Sequence, residues 1–260
     1  MPHVVAITRA PEQLLPGSYR DTGTRVAAPI DAWLGPVARV LGLTAYDLRL
    51  RVAGPLPWVV ARAADEDAAR TIRDALRDAG CGATLLDLAS ARVRSSLVAR
   101  VMARDEGVRL EPEGLVVPYD TLTLVVRATL EEEIGREVTR FGPNDLQGIT
   151  RHTSERARAH ALYLCVRGEP AIRLVEGRLA FPEEEGATVR ARFDAFVAHA
   201  RSRASRARFH QAFVDEPRKR TTLRALTHGE TQRSTLQGNV DETDLAVALL
   251  SRALAEGQAS

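Results

Sequence analysis

The chain has 260 residues, of which 45% are hydrophobic and 27% charged. These proportions belong to a folded protein of one or two domains and exclude a wholly disordered chain. The formal net charge of +2 is near neutral and points to no class of partner. Lys219 is the only lysine, and arginines are spread along the whole sequence, a bias that fits a GC-rich genome better than selection for phosphate contacts.

Cys81 and Cys165 are too few and too far apart for a zinc motif or a disulfide framework, and read as reduced thiols. Residues 1–9 lack a basic segment followed by a long apolar core, so no secretory signal is expected. No apolar run approaches the roughly 18–20 residues of a membrane span. The expectation is therefore a cytoplasmic protein without a transmembrane segment.

Val4 to Thr8 is the first strand candidate. Ala32 to Leu43 reads as a helix with a proline near its start, and Thr44 to Val52 as a second one. Thr44 stands at the N-cap of that second helix, and Tyr46, Leu48, Leu50 and Val52 supply its apolar surface. Gly54-Pro55-Leu56-Pro57 then forces a loop, and Trp58 to Ala61 forms a strand.

A capped amphipathic helix follows. Asp65 sits at its N-cap, and Glu66 and Asp67 place negative charge in the first turn. Ala68, Ala69, Ile72, Ala75, Leu76 and Ala79 recur at helical spacing, while Arg70, Arg73, Asp74, Arg77 and Asp78 form a solvated face. Gly80 ends the helix, and Ala83 to Leu88 is the closing strand.

The order from Gly42-Leu43 through a helix, a proline loop, a strand, Asp65, Ala69, Ile72, Leu76, Ala79-Gly80 and a strand resembles the C-terminal domain of the bacterial ribosomal stalk protein. The N-degron adaptor of the Clp protease shares that fold. The resemblance covers residues 30–88 and implies a fold. It implies no activity, because the stalk domain's lysine-rich factor-binding helix is missing and no acidic amine-binding pocket maps onto these residues.

From Val93 the pattern turns to strands. Residues 107–110 and 115–117 flank a proline–glycine turn, and residues 161–166 and 171–175 flank a second one. Leu122 to Ala128 is a further strand. Glu131 to Arg158 is polar, centred on Gly142-Pro143-Asn144-Asp145, and reads as a long connection with one more strand near Ile134 to Phe141. A helix over Ala187 to Arg203 carries Val189, Phe193, Phe196, Val197 and Ala200 on one face. Hairpins closed by one amphipathic helix resemble a pleckstrin-homology-like barrel over residues 93–204; an ordinary α+β sandwich gives the same pattern.

The fold class expected is thus α+β: a β-α-β module with packed helices, then a β-rich domain closed by amphipathic helices. Its divisions are residues 1–90, 91–204, and a basic helical extension over 205–260. That extension ends in a helix from Asn239, with Leu245, Val247, Ala248, Leu249, Leu250 and Leu254 as a broad apolar surface. Such a surface must be covered, either by the second domain or by another chain, and self-association through it is one expectation.

The most uneven charge lies between Thr188 and Arg233. Arg201, Arg203, Arg206, Arg208, Arg218, Lys219, Arg220 and Arg224 are the candidate residues for an anionic partner, either nucleic acid or an anionic lipid surface. Phe209, His210 and Phe213 are interleaved with them and could stack on bases. A spacing of four between the two phenylalanines places them instead on the inner face of a helix. A third reading docks this positive stretch on the acidic remainder of the chain.

No H-E-x-x-H, G-x-S-x-G, phosphate-loop or dinucleotide motif is present. Glu131-Glu132-Glu133 and Glu183-Glu184-Glu185 read as solvated turns, and Cys81 has no basic neighbour to activate it. The expectation is a non-enzymatic protein with no catalytic residue, cofactor or metal, acting as an adaptor or regulatory subunit on a protein partner. The alternative is anion binding through residues 190–224. A catalytic centre assembled from distant segments is the third.

Overall fold

The computed structural model describes residues 2–15, 24–27, 29–89, 91, 93–94, 100–140, 149–181, 187–215 and 240–259, and only the backbone at 13–15, 24–27, 132–140 and 149–157. Arg218, Lys219, Arg220 and Arg224 lie outside the described residues, as do Gly142 to Asp145, Glu183 to Glu185 and Gly229 to Gly238. The fold is α+β.

The first unit begins with β1 (His3–Arg9), a short β2 (Glu12–Leu15) paired to β3 (Thr24–Ala27), and two helices, α1 (Ile30–Val40) and α2 (Ala45–Arg51). β4 (Trp58–Ala63), α3 (Glu66–Asp78) and β5 (Gly82–Asp87) complete it. β1 is central and antiparallel to both β4 and β5, so the two outer strands run parallel with α3 as their crossover.

Local chemistry sets these boundaries. Thr44 Oγ1 accepts from the Asp47 N–H at 3.1 Å, and the Asp47 carboxylate returns the contact to the Thr44 N–H. This is a reciprocal capping box. The Asp65 carboxylate accepts from the Ala68 N–H at 2.8 Å at the start of α3. Gly80, with φ of 84°, turns the chain out of α3. One face of the sheet packs Val5 and Ile7 against Trp33, Val37, Leu48, Ala69 and Leu76, with Trp33 stacked on Trp58 at 6.0 Å.

Two details depart from the amphipathic pattern read in the sequence. On α2 only Leu48 and Val52 are buried, while Tyr46 and Leu50 are 70% and 62% exposed, because residues two apart lie on different sides of a helix. On α3, Ala68 is exposed, and Arg77 turns inward from the face expected to be solvated.

The second unit holds a meander of β6 (Arg100–Ala103), β7 (Gly107–Glu111) and β8 (Leu115–Pro118). A 3-10 turn over Tyr119–Thr121 leads into β9 (Leu122–Arg140), which pairs with β10 (Ile149–Val166) over eighteen registered positions, Val166↔Leu122 to Ile149↔Arg140. β11 (Ile172–Val175), α4 (Val189–Arg203), β12 (Arg208–Gln211) and the short α5 (Ala212–Asp215) follow, and α6 (Val240–Ala255) ends the chain. The sheet order is β11-β10-β9-β12, with β12 parallel to β9.

Three expectations are corrected here. Residues 131–140 and 149–158 are not a connection but the distal parts of the paired strands β9 and β10, and 141–148 lie outside the described residues. Residues 208–211, expected on a helix with Phe213, form a strand instead, and Phe209 on that strand and Phe213 on the short α5 serve different layers. Phe209 packs with the α4 side and Phe213 with the α6 side. Val189, expected on the buried face of α4, is 50% exposed at the helix's first turn.

The proximal β9–β10 sheet is buried on both faces. Val125, Leu162 and Leu164 face α4 and the meander, through Phe193, Phe196 and Val197. Leu124, Val126, Ala128, Leu130, Ala161 and Tyr163 face α6, through Ala246, Val247 and Leu250. The opposite side of α6 meets the first unit, where Leu249 packs on Ala6 and Leu86. α6 is therefore a central layer between two sheets, and the apolar surface that suggested self-association is covered within the chain.

Candidate interaction surfaces

Two polar clusters hold α6 in place. At its N-terminal end Tyr163 Oη donates to Asp244 Oδ1 at 2.7 Å, and Arg173 Nη1 donates to Asp244 Oδ2 at 2.5 Å. Burial lifts the Asp244 carboxyl above its ordinary range even though Arg173 pulls the other way, and burial beside that carboxylate pushes the Tyr163 phenol upward as well. At its C-terminal end the Glu256 carboxylate accepts from Arg77 Nη2 at 2.6 Å, from Thr84 Oγ1 at 3.1 Å and from Arg252 Nε at 2.6 Å. Arg77 Nε also donates to the Ala83 carbonyl. These titratable groups are joints between elements. No sequence signal marks Asp244, Arg173 or Glu256 as joints, because the partners that tie them to other elements lie 71 to 179 residues away.

The described members of the arginine cluster come together where α4 ends and β12 begins. Arg201, Arg203, Arg206 and Arg208 are all exposed. Two have intramolecular partners: the Arg201 guanidinium lies over the Phe209 ring at 4.8 Å, and Arg203 Nη2 donates to Asp105 Oδ1 at 2.6 Å. Arg203 and Arg206 line a groove of about 480 Å³ together with Asp105, Glu106, Pro118, Tyr119, Asp120 and Ser205. Acidic groups thus sit among the arginines here. The residues proposed for base stacking are partly or wholly inside: Phe213 is fully buried, and His210 packs edge-on against it at 4.7 Å. Burial, with the nearby Arg208 charge, holds the His210 imidazole below its ordinary value.

Both thiols are buried. Burial pushes Cys81 up to about 11 and Cys165 up to about 12. Among the described residues no group of three or more His, Cys, Asp or Glu is placed to hold a metal, and no helix is long and apolar enough to cross a membrane.

The most prominent surface feature is one that composition alone hides. β11 pairs with β10 only at residues 161–164, and β12 pairs with β9 only at 124–126, with a last bridge from Phe213 to Ala128. Beyond these contacts, β9 from Glu131 to Arg140 and β10 from Ile149 to Arg158 continue as a two-stranded ribbon with no third strand among the described residues. Ten residues of strand span about 33 Å, comparable to the diameter of a small domain. The ribbon's root is marked by Arg158 Nε donating to Glu131 Oε1 at 3.0 Å. A second exposed feature is the Tyr46–Leu50 pair, one turn apart on α2.

No protein-family model, curated protein or solved structure matches this chain.

Proposed function

We infer that this is a non-enzymatic interaction protein, an adaptor or regulatory subunit acting in the cytoplasm, that engages a protein partner with the β9–β10 ribbon. The ribbon carries the reading. Among the described residues no third strand pairs with it, and a strand edge of that kind offers backbone N–H and C=O groups as a template for pairing with another chain. The buried titratable clusters at Asp244 and Glu256 support it, since each is engaged in joining α6 to a sheet. Apart from the β2–β3 pair inserted between β1 and α1, the order β-α-α-β-α-β with a central first strand supports assigning residues 30–88, with β1, to the ribosomal-stalk C-terminal fold. The meander, the long hairpin and α4 support a pleckstrin-homology-like second unit.

The test is a ribbon-less chain in which residues 132–157 are replaced by a two-residue turn. It should unfold with the parent's cooperativity and lose the partner that the full chain retains on purification from its native host. Equal retention by both chains overturns the reading, as does turnover of a small substrate by the purified protein.

A second reading, binding of nucleic acid or anionic lipid through the arginine cluster, is favoured by the exposure of Arg206 and Arg208, which form no ion pair among the described residues. It requires affinity that falls steeply with salt and that drops when Arg206 and Arg208 become Ala.

A further inference from the structure

We propose that the groove between the β6–β7 turn, the Tyr119 turn and the end of α4 binds a guanidinium group, either that of free arginine or that of an arginine side chain on a peptide. No residue of the β9–β10 ribbon lines this groove, so the binding does not depend on the ribbon.

Local structure gathers the acidic side of this groove. Gly107 stands opposite Pro118 in the β7–β8 register, and a Cβ at Gly107 would lie 2.4 Å from the Val117 carbonyl oxygen. The Tyr119 N–H donates to the Glu106 carbonyl at 3.2 Å, which ties the β6–β7 turn to the segment carrying Asp120. Asp105, Glu106 and Asp120 thus line one groove with two arginines, Arg203 and Arg206. Arg203 is engaged by Asp105 at 2.6 Å, while Glu106 and Asp120 form no ion pair among the described residues. The groove also lies at the C-terminal end of α4, the negative pole of the helix dipole, which favours a cation. Arg203 itself shows the chemistry accepted here, because a planar guanidinium already rests on one of the three carboxylates.

Tyr119 lines the same groove. It is 4% exposed, its ring packs on His199 at 5.9 Å, and its hydroxyl is buried with no hydrogen-bond partner among the described residues. Burial pushes this phenol up, Arg203 pulls it down, and Asp105 and Glu106 push it further, so the hydroxyl lies among the charges of the groove. A buried hydroxyl in that state destabilises the free chain, and a donor brought to it removes the penalty. An entering guanidinium takes the place of Arg203 on Asp105, pairs with Glu106 or Asp120, and brings an N–H donor to Tyr119 Oη. The side chains of Arg203 and Asp105 are 48% and 84% exposed, so their separation costs little. Arg206 is left to take the carboxylate of free arginine.

The test is an NMR titration of the full chain with N-acetyl-L-arginine amide, read at the backbone amides of Glu106, Tyr119 and Asp120. Saturable shifts are expected, and none with the uncharged citrulline analogue of the same shape. Equal shifts with citrulline, or no saturable shift in both the parent and Arg203→Ala, overturns the proposal. Glu106→Gln and Asp120→Asn should each weaken binding about threefold, the effect of losing one exposed ion pair. Tyr119→Phe should weaken it about fivefold without lowering the urea midpoint, because the hydroxyl it removes has no partner in the free chain. A lower midpoint with unchanged binding would make that hydroxyl part of the core alone and overturn the proposal. Arg203→Ala should strengthen binding about threefold by removing the internal competitor. Weaker binding in Arg203→Ala, or larger shifts with inorganic phosphate than with the capped arginine, would make the groove an anion site and likewise overturn it. Free arginine separates the two sources. Tighter binding than the capped residue, with the gain lost in Arg206→Ala, identifies the amino acid; equal binding identifies a peptide side chain.

Discussion

Tyr163 donates its phenolic hydrogen to Asp244 at 2.7 Å, from the fully buried C-terminal part of β10 to the first turns of α6. Arg173 on β11 takes the other carboxylate oxygen. The three side chains join the sheet of the second unit to the helix that also carries the first.

The two partners of Asp244 should differ in cost. Tyr163→Phe removes one hydrogen bond to the carboxylate and leaves the ion pair, a loss of about 1.5–3 kcal/mol. Arg173→Ala leaves a largely buried carboxylate without its counter-charge, a loss of about 3–5 kcal/mol. Urea unfolding followed by circular dichroism checks the order; equal losses would show that the ion pair adds nothing at this seam.

Gly82 should not accept a side chain. A Cβ there would lie 2.5 Å from the Gln258 carbonyl oxygen and 2.7 Å from the Arg9 Cβ, where the chain end after α6 is tied to Thr8. Gly82→Ala is expected to cost about 1–3 kcal/mol by displacing that segment. Gly177→Ala, which meets nothing within 4 Å, is the control and should be near neutral. Both tryptophans, Trp33 and Trp58, belong to the first unit, so their fluorescence reports whether the loss is felt there.

The thiols should be silent in the folded chain. With Cys81 pushed up to about 11 and Cys165 up to about 12, few thiolates exist at neutral pH, and both side chains are buried. A chromogenic disulfide reagent should label neither cysteine on the minute scale and both in denaturant. Fast labelling of the native protein at Cys81 would contradict its packing in the first core.

His210 should make stability depend on mildly acidic pH. Its folded value lies below the ordinary 6.5, chiefly through burial, so the unfolded chain takes up the proton first. The contribution is complete above the ordinary value and is lost as pH falls through the depressed one. The urea midpoint of the parent should therefore fall more than that of His210→Gln between about pH 7.5 and about pH 5. Parallel profiles would show that the imidazole keeps its ordinary affinity in the fold.

The three helices and the strands β1, β4 and β5 of the first unit were legible because their signals are local, whereas the β2–β3 pair was not read from the sequence. Asp65, Gly80 and the spacing of Ala69, Ile72 and Leu76 lie within one helix, and Thr44 caps the helix it begins. The proximal parts of β9 and β10 were legible as apolar runs, since both of their faces are covered. Their distal parts were not. The strands there are rich in charged and polar residues and lack the apolar alternation that marks a half-buried strand, so Glu131 to Arg158 reads as a polar connection. Nor does the pattern of α6 say what covers it. Leu249 meets Ala6 some 240 positions away, and Asp244 meets Arg173 71 positions away. Caps, turns and helical spacing are properties of a few neighbouring residues and belong to the sequence itself. The central placement of α6, the inward turn of Arg77 and the reach of the ribbon depend on which distant surfaces exclude water together, and only the tertiary structure decides that.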